Sequence, residues 1–229
     1  MFIFKYKYNV YFIVMELNLN NLCKKYGCDK CLDTHKYNGK TYCDIYQKHF
    51  DSIRHNVKKV VEIGIRDGAS LKMWKEYFPN AIIYGIDIDP RCKEMEEDRV
   101  KVFIGDQNDE TFLKKIKDEI GEYDILIDDG SHITRHQITS YNILYPNLKN
   151  KGYYVIEDLR CSYEHKLNQH DLRKIWPGMK YNNPNDNLKN YRIEFIAFVE
   201  SKVKSLDMCE KQKLFAIYHY SNLLFFENI

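Results

Sequence analysis

The chain is short of charge of one sign. Its 35 Lys and Arg stand against 33 Asp and Glu, and a formal net charge of +2 gives no reason to expect nucleic acid or an anionic membrane as partner. Lys114, Lys115 and Lys117 do cluster, but they fit the solvated face of a helix. A long hydrophobic run is missing too. Met1 to Met15, MFIFKYKYNVYFIVM, carries Lys5 and Lys7 and falls short of the roughly 20 apolar residues that a membrane span needs. It also lacks a small-residue cleavage site, so it reads as an added strand or an extension rather than a secretory signal. Cysteine is present in an odd number, seven, which without a signal sequence favours reduced thiols and a cytoplasmic setting. Cys28-x2-Cys31 followed by His35 and Cys43 can be written as a zinc set, but the close second pair is missing. Small, partly buried thiols in a loop are the expectation. The GxGxxG fingerprint of the nicotinamide dehydrogenases is absent as well.

What is there suits one full core. A chain of 229 residues with 44% hydrophobic and 30% charged residues is ordinary for a soluble domain with short appendages. Residues 1–57 read as an N-terminal extension and helical cap: Leu17, Leu19 and Leu22 lead to a stop at Gly27, and Ile45, Phe50 and Ile53 share a helical face laid against a sheet edge. Residues 58–229 read as the main domain. From Lys59 strand and helix alternate: VVEIGI, SLKMWKEYF, IIYGIDI, a polar helix around Cys92 to Glu97, VKVFIGD, TFLKKIKDEIG, DILIDDG, HQITSYNILYPNL and YYVIEDL. That alternation predicts a doubly wound, Rossmann-like α/β fold with a mostly parallel sheet. Cys161 to Asn190 is long, polar and without periodicity, as a lid would be. Ile193 to Val203 follows as a helix, and KLFAIYHY with LLFFENI, joined at Ser221-Asn222, predicts a C-terminal antiparallel hairpin.

In an open parallel sheet the ligand site lies beyond the carboxyl ends of the strands. VVEIGIRDGAS has the form of a strand, a tight turn and a helix start. Gly64 and Gly68 lack the Cβ that would keep a ligand from the backbone, Asp67 lies in the turn, and the amides opening the helix near Ser70 face outward. Asp87 ends the next strand, about 20 residues on, where an acid accepts the hydroxyls of a ribose. Further acids follow: Asp106, then Asp128-Asp129, then Glu157-Asp158. The last two pairs end strands expected to be neighbours about 4.8 Å apart, so their carboxylates converge and repel. A hard divalent cation relieves that repulsion, which makes Asp129, Glu157 and Asp158 the expected ligands of Mg²⁺ or a similar ion. His132 stands three residues past Asp129 on the same rim and is the candidate base. His136, one turn further, is the weaker candidate.

VEIGIRDGASLKMWKEYFPNAIIYGIDIDP, GDQND, DDGSH-x3-HQ and YYVIEDL-x2-SY together resemble the class I S-adenosylmethionine-dependent methyltransferases, in particular the metal-dependent sugar O-methyltransferases related to the macrocin and mycinamicin enzymes. The resemblance runs from about Tyr26 to the end. It implies that Glu62, Gly64 and Gly68 line the methionine part of the cofactor, Asp87 the ribose, Asp106 and Gln107 the adenine side, and that Asp128 approaches the cofactor's amino group. It further implies Mg²⁺ on Asp129, Glu157 and Asp158, His132 as general base, and a small-molecule acceptor such as a glycoside hydroxyl. Arg66-Asp67 in the glycine turn and Arg160-Cys161 after the Glu-Asp pair depart from the pattern. Nucleic acid and membrane are not expected partners, and an oligomer is compatible with the sequence. Two other readings use the same glycine turn and ribose acid: a nicotinamide-dependent oxidoreductase, which has no need of the acidic cluster, and a non-catalytic nucleotide-binding module.

Overall fold

The computed structural model describes residues 3–6, 9–12, 17–32, 36–162, 191–208 and 213–229. A first hairpin pairs β1 (Ile3–Tyr6) with β2 (Asn9–Phe12). Helix α1 (Leu19–Tyr26) begins at Asn18, whose side chain accepts from the Asn21 N–H, and stops at Gly27, where φ is 69°. That left-handed conformation costs glycine little, and its N–H closes on the Cys23 and Lys24 carbonyls. A 3-10 turn, Asp29–Cys31, and the short pair β3 (Lys36–Tyr37) and β4 (Lys40–Thr41) lead into α2 (Tyr42–Phe50). Thr41 and Asp44 form a reciprocal capping box at its start. The thiols of Cys23, Cys28 and Cys43 are buried and that of Cys31 half-buried, and the Cys23 thiol donates to the Cys28 carbonyl at 3.1 Å. His35 of the zinc pattern lies outside the described residues.

The central sheet follows: β5 (Lys59–Ile63), α3 (Ala69–Tyr77), β6 (Ile82–Asp87), β7 (Val100–Ile104), α4 (Glu110–Ile120), β8 (Tyr123–Asp128), α5 (Thr134–Leu144), β9 (Leu148–Ile156), α6 (Tyr191–Asp207), β10 (Leu214–Tyr220) and β11 (Leu223–Asn228). Its seven strands lie in the order β10-β11-β9-β8-β5-β6-β7. The five from β9 to β7 are parallel, and β11 and β10 close one edge antiparallel. The doubly wound sheet and its terminal hairpin are as expected. The polar helix expected around Cys92 is instead a 3-10 turn, Pro90–Met95, capped by the Asp89 carboxylate on the Arg91 N–H. Of the expected lid, residues 163–190 lie outside the described residues. Among the described residues no helix is long and apolar enough to cross a membrane.

Strand periodicity sorts the side chains into two cores. Val60, Ile83, Ile125, Ile127, Val155 and Phe225 point to one face, where α1, α2 and α3 cover them. Val61, Ile86, Leu126, Tyr154 and Phe226 point to the other, under α4, α5 and α6. The N-terminal helices thus cover a face of the sheet and not its edge. Tyr46, Phe50 and Trp74 form an aromatic group with Phe225, at centroid separations of 5.3 to 6.4 Å, which fastens the C-terminal hairpin to α2 and α3. Burying one such side chain stabilises by about 1.5–3 kcal/mol. The chain runs outward from β5 to β6 and β7, then returns to place β8 on the other side of β5. In open parallel sheets a reversal of this kind, at the strands' carboxyl ends, is where ligands bind.

Candidate active site

Register sets the site. Ile63, Asp128 and Ile156 lie level across β5, β8 and β9, so the residues just beyond them emerge side by side. The ladder continues one step further, with the Asp129 N–H on the Ile63 carbonyl at 2.9 Å and the Glu157 N–H on the Asp128 carbonyl at 3.0 Å. Gly64 (φ 84°) makes this approach possible. A Cβ there would stand 2.1 Å from the Asp129 carbonyl oxygen. The glycine expected to admit a ligand therefore admits the neighbouring loop, and by doing so seats Asp129. Three non-glycine residues just beyond the strand ends have left-handed backbones: Arg66 (φ 47°), His132 (φ 57°) and Asp158 (φ 55°). Each such conformation costs about 1–2 kcal/mol, and strain of this kind concentrates where a side chain must be aimed.

The inner half of the acid cluster holds a cation of its own. Lys30, 1% exposed in the 3-10 turn after α1, puts Nζ 2.6 Å from Asp129 Oδ2, 2.7 Å from Glu157 Oε1 and 3.4 Å from Glu62 Oε1. Tyr46 donates its hydroxyl to the same Glu157 oxygen, and Ser70 donates to Glu62 Oε2 at 2.6 Å. Burial opposes the charge on Lys30, but Asp129, Glu157 and Glu62 hold its ammonium well above the ordinary lysine range. Burial, with Asp129 beside it, pushes Glu157 well above the carboxylate range, while Lys30 and Tyr46 oppose the shift. Burial raises Glu62 as well, against Lys30 and Ser70. One ammonium among three carboxylates is too little charge, and the excess appears on the most enclosed acids.

The outer half faces solvent. One ligand atom from each of Asp129, His132 and Asp158 lies within 4.8 Å of the other two, and these side chains are 23%, 13% and 17% exposed. His132 Nε2 is 3.7 Å from Asp158 Oδ2. Asp158 Oδ1 accepts from the Tyr42 hydroxyl and the Asn222 amide, both at 2.7 Å. The structure thus brings Asp129 and Asp158 together with His132, while Glu157, expected beside them, turns Oε1 inward to Lys30 and Tyr46. Lys30, Tyr42, Tyr46 and Asn222 escaped the sequence reading. A lysine in a polar loop reads as solvated, tyrosines on a helix read as core, and Asn222 reads as a turn residue; only the packing of distant segments gives them a site.

On the β6 side Asp87 Oδ2 accepts from the Ile65 and Arg66 N–H groups at 2.9 and 3.1 Å, and Oδ1 from the Asp89 N–H, so this acid clasps the glycine turn. Gly68, φ 73°, opens α3, and exposed Asp67 accepts from the Ala69 N–H. Gln107, 6% exposed, donates to Asp128 Oδ1 at 2.6 Å and accepts from the Ser131 N–H, tying the loops after β7 and β8 together. Burial pushes fully enclosed Asp128 up to about 6, against the Gln107 amide and the Gly130 N–H. Asp106 accepts from the Asn108 N–H just beyond β7. His136 exchanges a hydrogen bond with Ser131 Oγ at 2.9 Å.

No protein-family model matches the chain. It is 42% identical over 129 residues to the 8-demethyl-8-(2-methoxy-alpha-L-rhamnosyl)-tetracenomycin-C 3'-O-methyltransferase of Streptomyces olivaceus, covering 53% of this chain and 33% of that protein. It is 37% identical over 168 residues to the demethylmacrocin O-methyltransferase of Streptomyces fradiae, covering 70% and 38%. Among solved structures, the MycE methyltransferase from the mycinamycin biosynthetic pathway, in complex with Mg and SAH, superposes with a TM-score of 0.72 at 30% identity, over 93% of this chain and 55% of that one. The chain therefore spans well under two thirds of the length of these relatives. Over the stretch it shares with them, it has the class I methyltransferase fold and is a homologue of the macrocin, mycinamicin and tetracenomycin sugar O-methyltransferases.

Proposed function

We propose that the chain is an S-adenosylmethionine-dependent, divalent-cation-assisted O-methyltransferase acting on a hydroxyl of a sugar or similar small-molecule acceptor. The observation that carries this reading is the convergence of Asp129, His132 and Asp158 at the ends of β8 and β9, in a chain 36–42% identical to sugar O-methyltransferases. The carboxylates of Asp129 and Asp158, with Glu157 adjacent, are an oxygen donor set that fits a hard divalent ion, and His132 stands beside them. Asp129, Glu157 and Asp158 would hold it. When bound, S-adenosylmethionine supplies the methyl group and the cation the charge that acidifies a hydroxyl.

The chain's own groups do the rest. Glu62, Gly64 and Gly68 line the methionine side, with Asp67 and Ser70 in the same turn and helix start, Asp87 takes the ribose hydroxyls, Asp106 and Gln107 border the adenine, and Asp128 approaches the amino group. His132 would take the hydroxyl proton at Nε2, the ring nitrogen that faces Asp158, so that the oxygen can bond to the methyl carbon as its bond to the sulfonium sulfur breaks and S-adenosylhomocysteine leaves. The strained backbones of His132 and Asp158 keep both side chains aimed before the acceptor arrives. Calorimetry with S-adenosylhomocysteine and Mn²⁺ tests the binding half, and the reading fails if the protein binds neither. For the chemical half, His132→Ala is expected to keep cofactor binding and lower turnover by about 10²-fold or more.

A further inference from the structure

Lys30 is the buried charge that the proposed chemistry does not use. It sits between the two halves of the site: Glu62 belongs to the cofactor side, Asp129 and Glu157 to the cation side, and Nζ touches all three. Its place is not left to a flexible stem. The turn Asp29–Cys31 is wedged by the Cys23 thiol, which donates to the Cys28 carbonyl at 3.1 Å, and by the buried Cys28 side chain. We propose that Lys30 is a positioning residue for the cation site: it holds one oxygen each of Glu157 and Asp129, and leaves their other oxygens, with Asp158, to a divalent ion.

The charge count gives this a direction. Three carboxylates converge on one ammonium, and removing it leaves them facing one another with much of their solvent excluded. A divalent ion at the outer face then becomes the nearest source of positive charge. Lys30 is thus a resident cation that relieves the inner oxygens, so that an incoming ion needs to satisfy only the outer ones.

The test is thermal unfolding of wild type, Lys30→Met, Glu157→Gln and the double variant, with and without Mn²⁺. Without metal, Lys30→Met is expected to melt about 4 °C or more below wild type, and Glu157→Gln to raise the melting temperature in the Lys30→Met background while lowering it in wild type. The rise induced by Mn²⁺ is expected to be at least about twice as large in Lys30→Met as in wild type, because the ion then relieves the inner acids too. Should Lys30→Met fail to fold, the double variant decides: it folds if excess negative charge is the cause and stays unfolded if the loss is only the packing of the lysine stem. Equal melting of Lys30→Met and wild type, or the same effect of Glu157→Gln in both backgrounds, overturns the proposal. The cation-site part rests on the function proposed above. If wild type does not respond to Mn²⁺ that function fails, whereas the Lys30–Glu157 coupling is read without metal and stands or falls separately.

Discussion

Gly64 shows how little room the site leaves at the level of a single residue. A methyl group there would overlap the Asp129 carbonyl and sit on a backbone with φ 84°. Gly64→Ala is therefore expected to destabilise by at least about 3 kcal/mol, read as a lower urea midpoint, since neither the strain nor the overlap can relax without moving the β8 loop. Asp87 shows the opposite economy. Its two oxygens already accept three backbone N–H groups, so the acid that sequence spacing assigns to a ribose also shapes the turn that lies over it. The position of Asp87 was legible because strand-end acids follow a spacing rule. Its structural bonds were not, because they run to the loop of another strand.

Among the elements, α2 links the N-terminal segment to the site. Its first turn carries Tyr42, which donates to Asp158, and its second carries Tyr46, which donates to Glu157. The capping box at Thr41 and Asp44 holds that first turn closed. Thr41→Ala is expected to cost about 1 kcal/mol in chemical denaturation. The apolar spacing of Ile45 and Phe50 foretold a helix here, and a helix is found. That it would lie on the sheet face and turn two hydroxyls toward strand-end acids did not follow from spacing, which gives the buried stripe of a helix but not its partner.

For the molecule as a whole, the seam between α2 and the C-terminal hairpin makes stability depend on pH. His49 stacks on Phe225 at 4.4 Å, shares a hydrogen bond with the Tyr220 hydroxyl at 2.8 Å, and packs among Tyr153 and Tyr218 beside Lys48. Burial, with Lys48 adding to it, depresses its imidazole to about 4. The unfolded chain takes up the proton near pH 6.5, so this contribution is fully present above that pH and is lost as the pH falls toward 4, by at most about 3 kcal/mol. Guanidinium unfolding at pH 7.5 and pH 5 is expected to show a smaller loss for His49→Phe than for wild type. An equal loss in both assigns the acid sensitivity to other groups.

Local pattern determined the parallel strands, all but one of their connecting helices, the terminal hairpin and the row of acids at the strand ends, because alternation, glycine turns and strand-end carboxylates are all written within a few neighbouring residues. Only the tertiary structure decided that Lys30, roughly a hundred positions away from Asp129 and further from Glu157, completes the cluster, and that Glu157 turns an oxygen inward to it. A charge finds its counter-charge through the three-dimensional field around it, and that field exists only once the sheet has brought separate strand ends to one place.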